Sequence, residues 1–309
     1  MFFFTGYSLL TVLCWLLLVA VLVLLNELTR KSKALSLLFY VVIPAVLLVL
    51  IALGIVGSPS SKTWFGTVKT ISALIGVWGF LLIRYCPSVA RSKFAAIFPA
   101  AILAINICEA VYRDVEVFRT FPSPTVDEAG LTLLGGYWNL FNAAAGVLLL
   151  VTLTGWVGIR VANTPSRDMV WPDQLWFWIL AYDMWNAAYC YNCISTRSMY
   201  AGIALLTSCT FAEAYLQRGV WLQHRAQTLA LFGMFSLAVD YNHMPAFAID
   251  STYSPAAWGA LSIAAFCVNL AVFVYMLHTM HKTHRNPYRS ELYVQTAAYQ
   301  NNLLANRLH

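Results

Sequence analysis

Long uninterrupted apolar runs dominate the chain, as in the stretch LCWLLLVAVLVLL from Leu13 to Leu25. Nine such blocks can be marked, at 4–26, 34–56, 66–85, 93–113, 136–160, 172–195, 200–217, 222–242 and 256–280. Each is near the roughly 20 residues that a helix needs to cross a hydrocarbon core. A membrane-spanning strand would instead alternate apolar and polar residues over about ten positions. The pattern predicts an all-α fold, a polytopic transmembrane helix bundle of about nine spans. Residues 1–281 read as a single transmembrane domain and 282–309 as a cytoplasmic tail. The first block has no basic flank before it and is too long for a cleaved leader, so it reads as a retained anchor.

Composition strengthens this reading. Of 309 residues, 60% are hydrophobic and 10% charged, whereas a soluble domain carries about 25% charged residues. The basic residues are also unevenly placed. Under the nine-span reading, fourteen of the 19 Lys and Arg residues fall on one side: Arg30, Lys31, Lys33, Arg84, Arg91, Lys93, Arg160, Arg167, Arg218, Arg225, Lys282, Arg285, Arg289 and Arg307. Four fall on the other, at Lys62, Arg113, Arg119 and Arg197, with Lys69 inside a span. Cytoplasmic loops retain positive charge, so the N-terminus is expected outside and the C-terminus in the cytoplasm. The net charge of +6 is then a topology signal, and no nucleic-acid partner is expected.

Against this apolar background the buried polar positions carry the chemistry. A charged side chain near the bilayer centre costs about 2.5–3.5 kcal/mol on insertion scales, so such residues usually face the interior and mark a site or pathway. Asn106, Glu109 and Arg113 fall within about 60° of one another on one helix face. Asp183, Asn186, Cys190 and Cys193 make a comparable stripe. With Lys69, Ser72, Asn139 and Asn142 at similar depth, they predict an outer-half cavity whose substrate-binding residues are Lys69, Glu109, Arg113, Asn142, Asp183 and Asn186. The competing reading is packing, with Glu109 paired to Arg113 and Lys69 to Asp183. A second, cytoplasmic polar layer holds Glu27, Arg84, Arg218 and Gln227, with Glu213, His224 and Arg225 as candidates for a gate or a lipid head-group contact.

Two segments share polar as well as apolar positions: Ile102 to Tyr112 (ILAINICEAVY) and Ile179 to Tyr189 (ILAYDMWNAAY), 77 residues apart. This suggests a helix hairpin used twice, as in many transporters. His278, His281 and His284 recur at helical spacing, but Lys282 and Arg285 lie between them. A basic stop signal is the simpler reading, and no metal is expected. The seven cysteines are scattered, and two neighbours, Cys190 and Cys193, do not supply the four ligands of a structural zinc site. There is no HExxH, GxSxG, P-loop or dinucleotide-binding glycine pattern, so no cofactor is expected and no motif predicts an enzyme.

The segment WPDQLWFWILAYDMWNAAY (Trp171 to Tyr189) and the later WLQHRAQTLAL (Trp221 to Leu231) resemble a family of bacterial multipass membrane proteins of unknown function. The likeness runs from about residue 60 to 245 and transfers no activity. It implies a bacterial inner-membrane location. The expected function is that of an integral membrane transport protein, a carrier or channel for a small polar or charged solute. Glu109 and Asp183 would bind a cation or exchange protons, with Lys69 or Arg113 as balancing charge and Asn142 and Asn186 as neutral contacts. The alternatives are an intramembrane enzyme acting on a lipid-linked substrate and a membrane sensor or scaffold. Expected partners are the lipid bilayer and a small solute or ion, and association into a homo-oligomer stays open.

Overall fold

The computed structural model describes residues 2–127 and 130–308, apart from the side chains of residues 65, 93 and 94. Among the described residues nine long helices coincide with the nine apolar blocks. They are α1 (Leu9–Lys31), α2 (Lys33–Ala52), α3 (Trp64–Tyr85), α4 (Lys93–Thr120), α5 (Tyr137–Val151), α6 (Trp176–Cys193), α7 (Met199–Leu216), α8 (Trp221–Ala238) and α9 (Pro255–Thr283). A tenth, α10 (Ala297–Ala305), lies in the tail. Six of them (α1, α2, α3, α4, α7 and α9) are long and apolar enough to cross a membrane. The outward faces of α1, α2 and α9 are apolar, with Leu13, Leu17, Leu24, Val46, Val49 and Val274 all exposed. Lipid rather than water suits such continuous apolar faces.

The helices pack as two groups around two cores. In one, α5 lies between α4 and α9, and α6 packs on α9 and α5. Its core runs through Leu103, Ile107, Leu149, Ile179 and Trp185. In the other, α8 packs on α3 and α7, and α1 on α7, around Tyr40, Leu74, Val77, Tyr200 and Leu231. The contacts of α3 with α4 and of α6 with α7 join the two groups. Gly146 lets α5 approach: a Cβ there would sit 2.4 Å from a Val111 methyl and 2.9 Å from the Trp185 indole nitrogen.

Short antiparallel ties fix the two ends of the bundle. Phe4–Thr5 (β1) pairs with Asp250–Ser251, so α1 and α9 start at the same end. Arg197, beyond α6, bonds Asp250 at 2.5 Å, and Ser58, before α3, bonds the carbonyl of Leu237 at the end of α8. At the opposite end a hairpin of Arg160–Val161 with Met169–Val170 presents Asp168. That fully buried carboxylate accepts from Arg30 (2.7 Å), Ser166 (2.5 Å) and Gln223 (2.9 Å), with Arg84 at 3.7 Å. One carboxylate therefore clasps the end of α1, the end of α3 and the start of α8.

The tail is docked. Asp173 accepts the backbone N–H groups of Leu292 (3.1 Å) and Tyr293 (2.8 Å) and the Thr154 hydroxyl (2.8 Å). Arg160 contacts both Glu291 oxygens, at 2.8 and 3.0 Å, and the Tyr299 hydroxyl donates to Glu291 at 2.8 Å. Burial, together with that carboxylate, pushes the Tyr299 phenol above its usual range. Two boundaries differ from the sequence expectation. The 136–160 block is helical only to Val151, because Gly155 adopts a left-handed φ of 61° and the chain turns into the hairpin. The 114–135 segment, expected as a loop, is helical as far as Thr120.

Candidate functional site

Lys69 of α3 and Glu109 of α4 form an ion pair at 3.2 Å. Lys69 also donates to the Asn106 carbonyl at 3.1 Å, and the Ser72 hydroxyl reaches the same Glu109 oxygen at 3.4 Å. The pairing differs from both packing expectations, which matched Lys69 with Asp183 and Glu109 with Arg113. Arg113 is held instead by Glu116 (2.7 Å) and Asp127 (3.2 Å), where α4 runs out into the loop.

Asn142 belongs to a separate knot. Asp114, fully buried, accepts the amides of Asn139 (3.0 Å) and Asn142 (2.7 Å) and the Cys193 thiol (3.4 Å). Sequence reading missed Asp114 because it was counted as loop. The usable signal was the absence of Gly or Pro between Pro99 and Pro122, which lets the helix run on past it.

The other half of the site lies between α6 and α8. The Arg225 guanidinium, 5% exposed, donates to the Asn186 side-chain oxygen at 3.1 Å and lies 6.0 Å from the Tyr182 ring centre. Arg225, expected in the cytoplasmic layer, thus reaches Asn186 of the expected outer-half group. Asp183 accepts the Thr210 hydroxyl at 2.6 Å, and Thr210 accepts the Trp221 indole N–H at 3.1 Å. Trp221 also meets Tyr182 edge to face, with centroids 4.8 Å apart. The crowded aromatics of α6 are thus mostly core, and they hold these polar groups in place.

Glu213 and His224 of the expected layer are held by neighbouring groups. The Glu213 oxygens accept the N–H groups of Gly219 (2.6 Å) and Val220 (3.0 Å), which caps the start of α8 where unpaired amides favour an anion. His224 is buried against Asn26 (3.3 Å) and the Gln217 carbonyl (3.4 Å). His278, His281 and His284 are exposed, and among the described residues no three His, Cys, Asp or Glu side chains converge as a metal site.

Three cavities flank these groups. One of about 110 Å³ near the N-terminal end of the bundle is lined by Ser60, Thr63, Lys69, Thr70 and Asn242. A void of about 30 Å³ is lined by Ser72, Asn106, Tyr182 and Arg225. At the opposite end, about 530 Å³ lies between α6, α7 and α10, lined by Gln174, Trp176, Thr210, Glu213 and Arg218. Lys69, Arg225 and Thr210 touch one cavity each, so polar groups recur along the bundle between its two ends.

Comparison with curated proteins and with solved structures finds no match. The family comparison does: residues 6–305 match a family of unknown function, DUF5692, and the chain belongs to it.

Proposed function

We propose that the chain is an integral membrane transport protein, a carrier or channel for a small polar or charged solute. The observation that carries this reading is a row of interior polar groups lying between the 110 Å³ cavity and the 530 Å³ one. It passes through Lys69–Glu109, the small void beside Arg225–Asn186, and Asp183–Thr210. Packing alone does not account for it, since buried charges are costly and interhelical hydrogen bonds average only about 0.6 kcal/mol. In this reading Lys69, Glu109, Asp183, Asn186 and Arg225 contact the solute, while Arg113 and Asn142 support the helices.

We read nine spans in a bacterial inner membrane, with the N-terminus outside and the C-terminus in the cytoplasm. The 18-residue α6 and α8 and the 15-residue α5 are short, but roughly 27 Å and 22 Å at 1.5 Å per residue still cross most of the core. Glu109 and Asn186 occupy matching repeat positions, and each accepts from a basic residue of a neighbouring helix, Lys69 and Arg225 respectively.

Flux into proteoliposomes tests the reading. Uptake of a small ion or polar solute should depend on the protein and fall at least tenfold in Glu109→Gln. Absence of flux for every ion and solute tried would end the proposal. The enzyme alternative keeps one observation in its favour: the 530 Å³ cavity has exposed Trp176 and Leu180 at its wall. Turnover of a lipid without any flux would select it.

A further inference from the structure

Arg225 stands out among the interior charges. Its Nη2 donates to Asn186 and the group also interacts with the Tyr182 phenol, but Nε and Nη1 have no well-aligned hydrogen-bond partner. Among the described residues no carboxylate forms an ion pair with it, whereas Lys69, Arg30, Arg113 and Arg197 each have one. Asp183, next along α6 from Tyr182, gives one oxygen to Thr210 and keeps the other unpartnered, close enough to feel the Arg225 charge but not in an ion pair with it. A buried guanidinium keeps its charge, and leaving it uncompensated in an apolar interior is costly.

The same guanidinium lines the void of about 30 Å³, whose remaining wall is mostly apolar: Phe80, Ile102, Leu103, Leu222 and Leu229. That volume holds about two waters. It is of a size to fit one small anion. The unspent N–H groups of Nε and Nη1, a fixed positive charge and a mostly apolar wall favour a weakly hydrated anion over a cation.

We propose that Arg225, positioned by Asn186, is the binding site for a small inorganic anion the size of a halide, in the void between α3, α4, α6 and α8. The inference deepens the transport reading and rests on it for the anion's role, because the site lies midway along the polar series. Lys69, held at the next cavity by Glu109, is the entry-side charge, and the anion passes from its neighbourhood to Arg225.

The test uses the purified full-length protein in detergent, in gluconate buffer of constant ionic strength. Replacing gluconate by chloride, bromide or nitrate should raise Tm saturably, while gluconate, too large for the void, has no effect. Arg225→Gln should abolish the halide-dependent shift, and Arg225→Lys, which keeps the charge but loses the fork, should weaken it at least tenfold in apparent Kd. No saturable shift in the unmodified protein overturns the inference whether or not the variants fold. An undiminished shift in a folded Arg225→Gln protein overturns it as well. The flux assay separates the two claims. Anion binding without flux leaves the site standing and defeats the transport reading. Cation flux indifferent to halide does the reverse.

Discussion

At the residue scale the interior contains two kinds of buried charge, and they should respond differently to substitution. Asp114 is fully occupied: two amides and a thiol all donate to it, from α5 and α6. Asp114→Ala would strand the Asn139 and Asn142 amides in a fully buried site. Each unsatisfied buried donor costs about 1–3 kcal/mol, reduced where a membrane-embedded unfolded state offers other partners. We expect a loss of about 1–3 kcal/mol, read as a lower Tm in detergent, with the halide-dependent shift intact. An unchanged Tm would show that the knot does not hold α4 against α5 and α6. Arg225, with unspent donors facing a void, should show the opposite profile. This distinction was not legible in the sequence. Glu109, Asp183 and Asn186 stood out as polar residues in apolar helices, but their partners lie on other helices at separations of 27 to 40 residues. No helical periodicity encodes such pairings.

At the level of elements, apolar runs were a good guide to helix centres and a poor one to ends. The 136–160 block continues apolar after Val151, yet Gly155 and the turn at Trp156–Gly158 end the helix there. Hydropathy does not report a left-handed φ. The tail is the larger surprise, because its docking depends on single hydrogen-bonding groups. Asp173, in the turn before α6, takes up two backbone N–H groups of residues 292 and 293, and hydrogen bonds to a charged group are worth about 1.5–3 kcal/mol each. Asp173→Ala should therefore release residues 288–305 while leaving the helical bundle folded. Hydrogen–deuterium exchange would show loss of protection in the tail by a factor of ten or more, with α3, α4 and α8 unchanged. Exchange that stays slow in the tail would mean that the Arg160–Glu291 and Tyr299–Glu291 contacts suffice to hold it.

For the whole molecule, span number and sidedness are a single question, and the location of the C-terminus decides it. If only the six helices that meet the length and hydropathy needed for a crossing spanned the bilayer, the count would be even and both termini would share a side. With α5, α6 and α8 also crossing, the count is odd and the termini are on opposite sides. The ties within the fold favour the second arrangement. The N-terminal strand pairs beside the start of α9, while the tail bonds to Asn163, Asp173 and Gln217 at the end that Asp168 clasps. The charge distribution agrees, since thirteen of 19 basic residues, Arg225 being interior, belong to that clasped end under the nine-span reading, and the positive-inside bias makes it cytoplasmic. A single introduced cysteine reads out the answer in a background lacking the seven native ones. Ser123→Cys, in the loop after α4, lies outside under either count and serves as the reference. Arg289→Cys should resist a membrane-impermeant maleimide in intact cells and label after permeabilisation. Labelling of both positions from outside would reduce the count to an even number and overturn the nine-span arrangement.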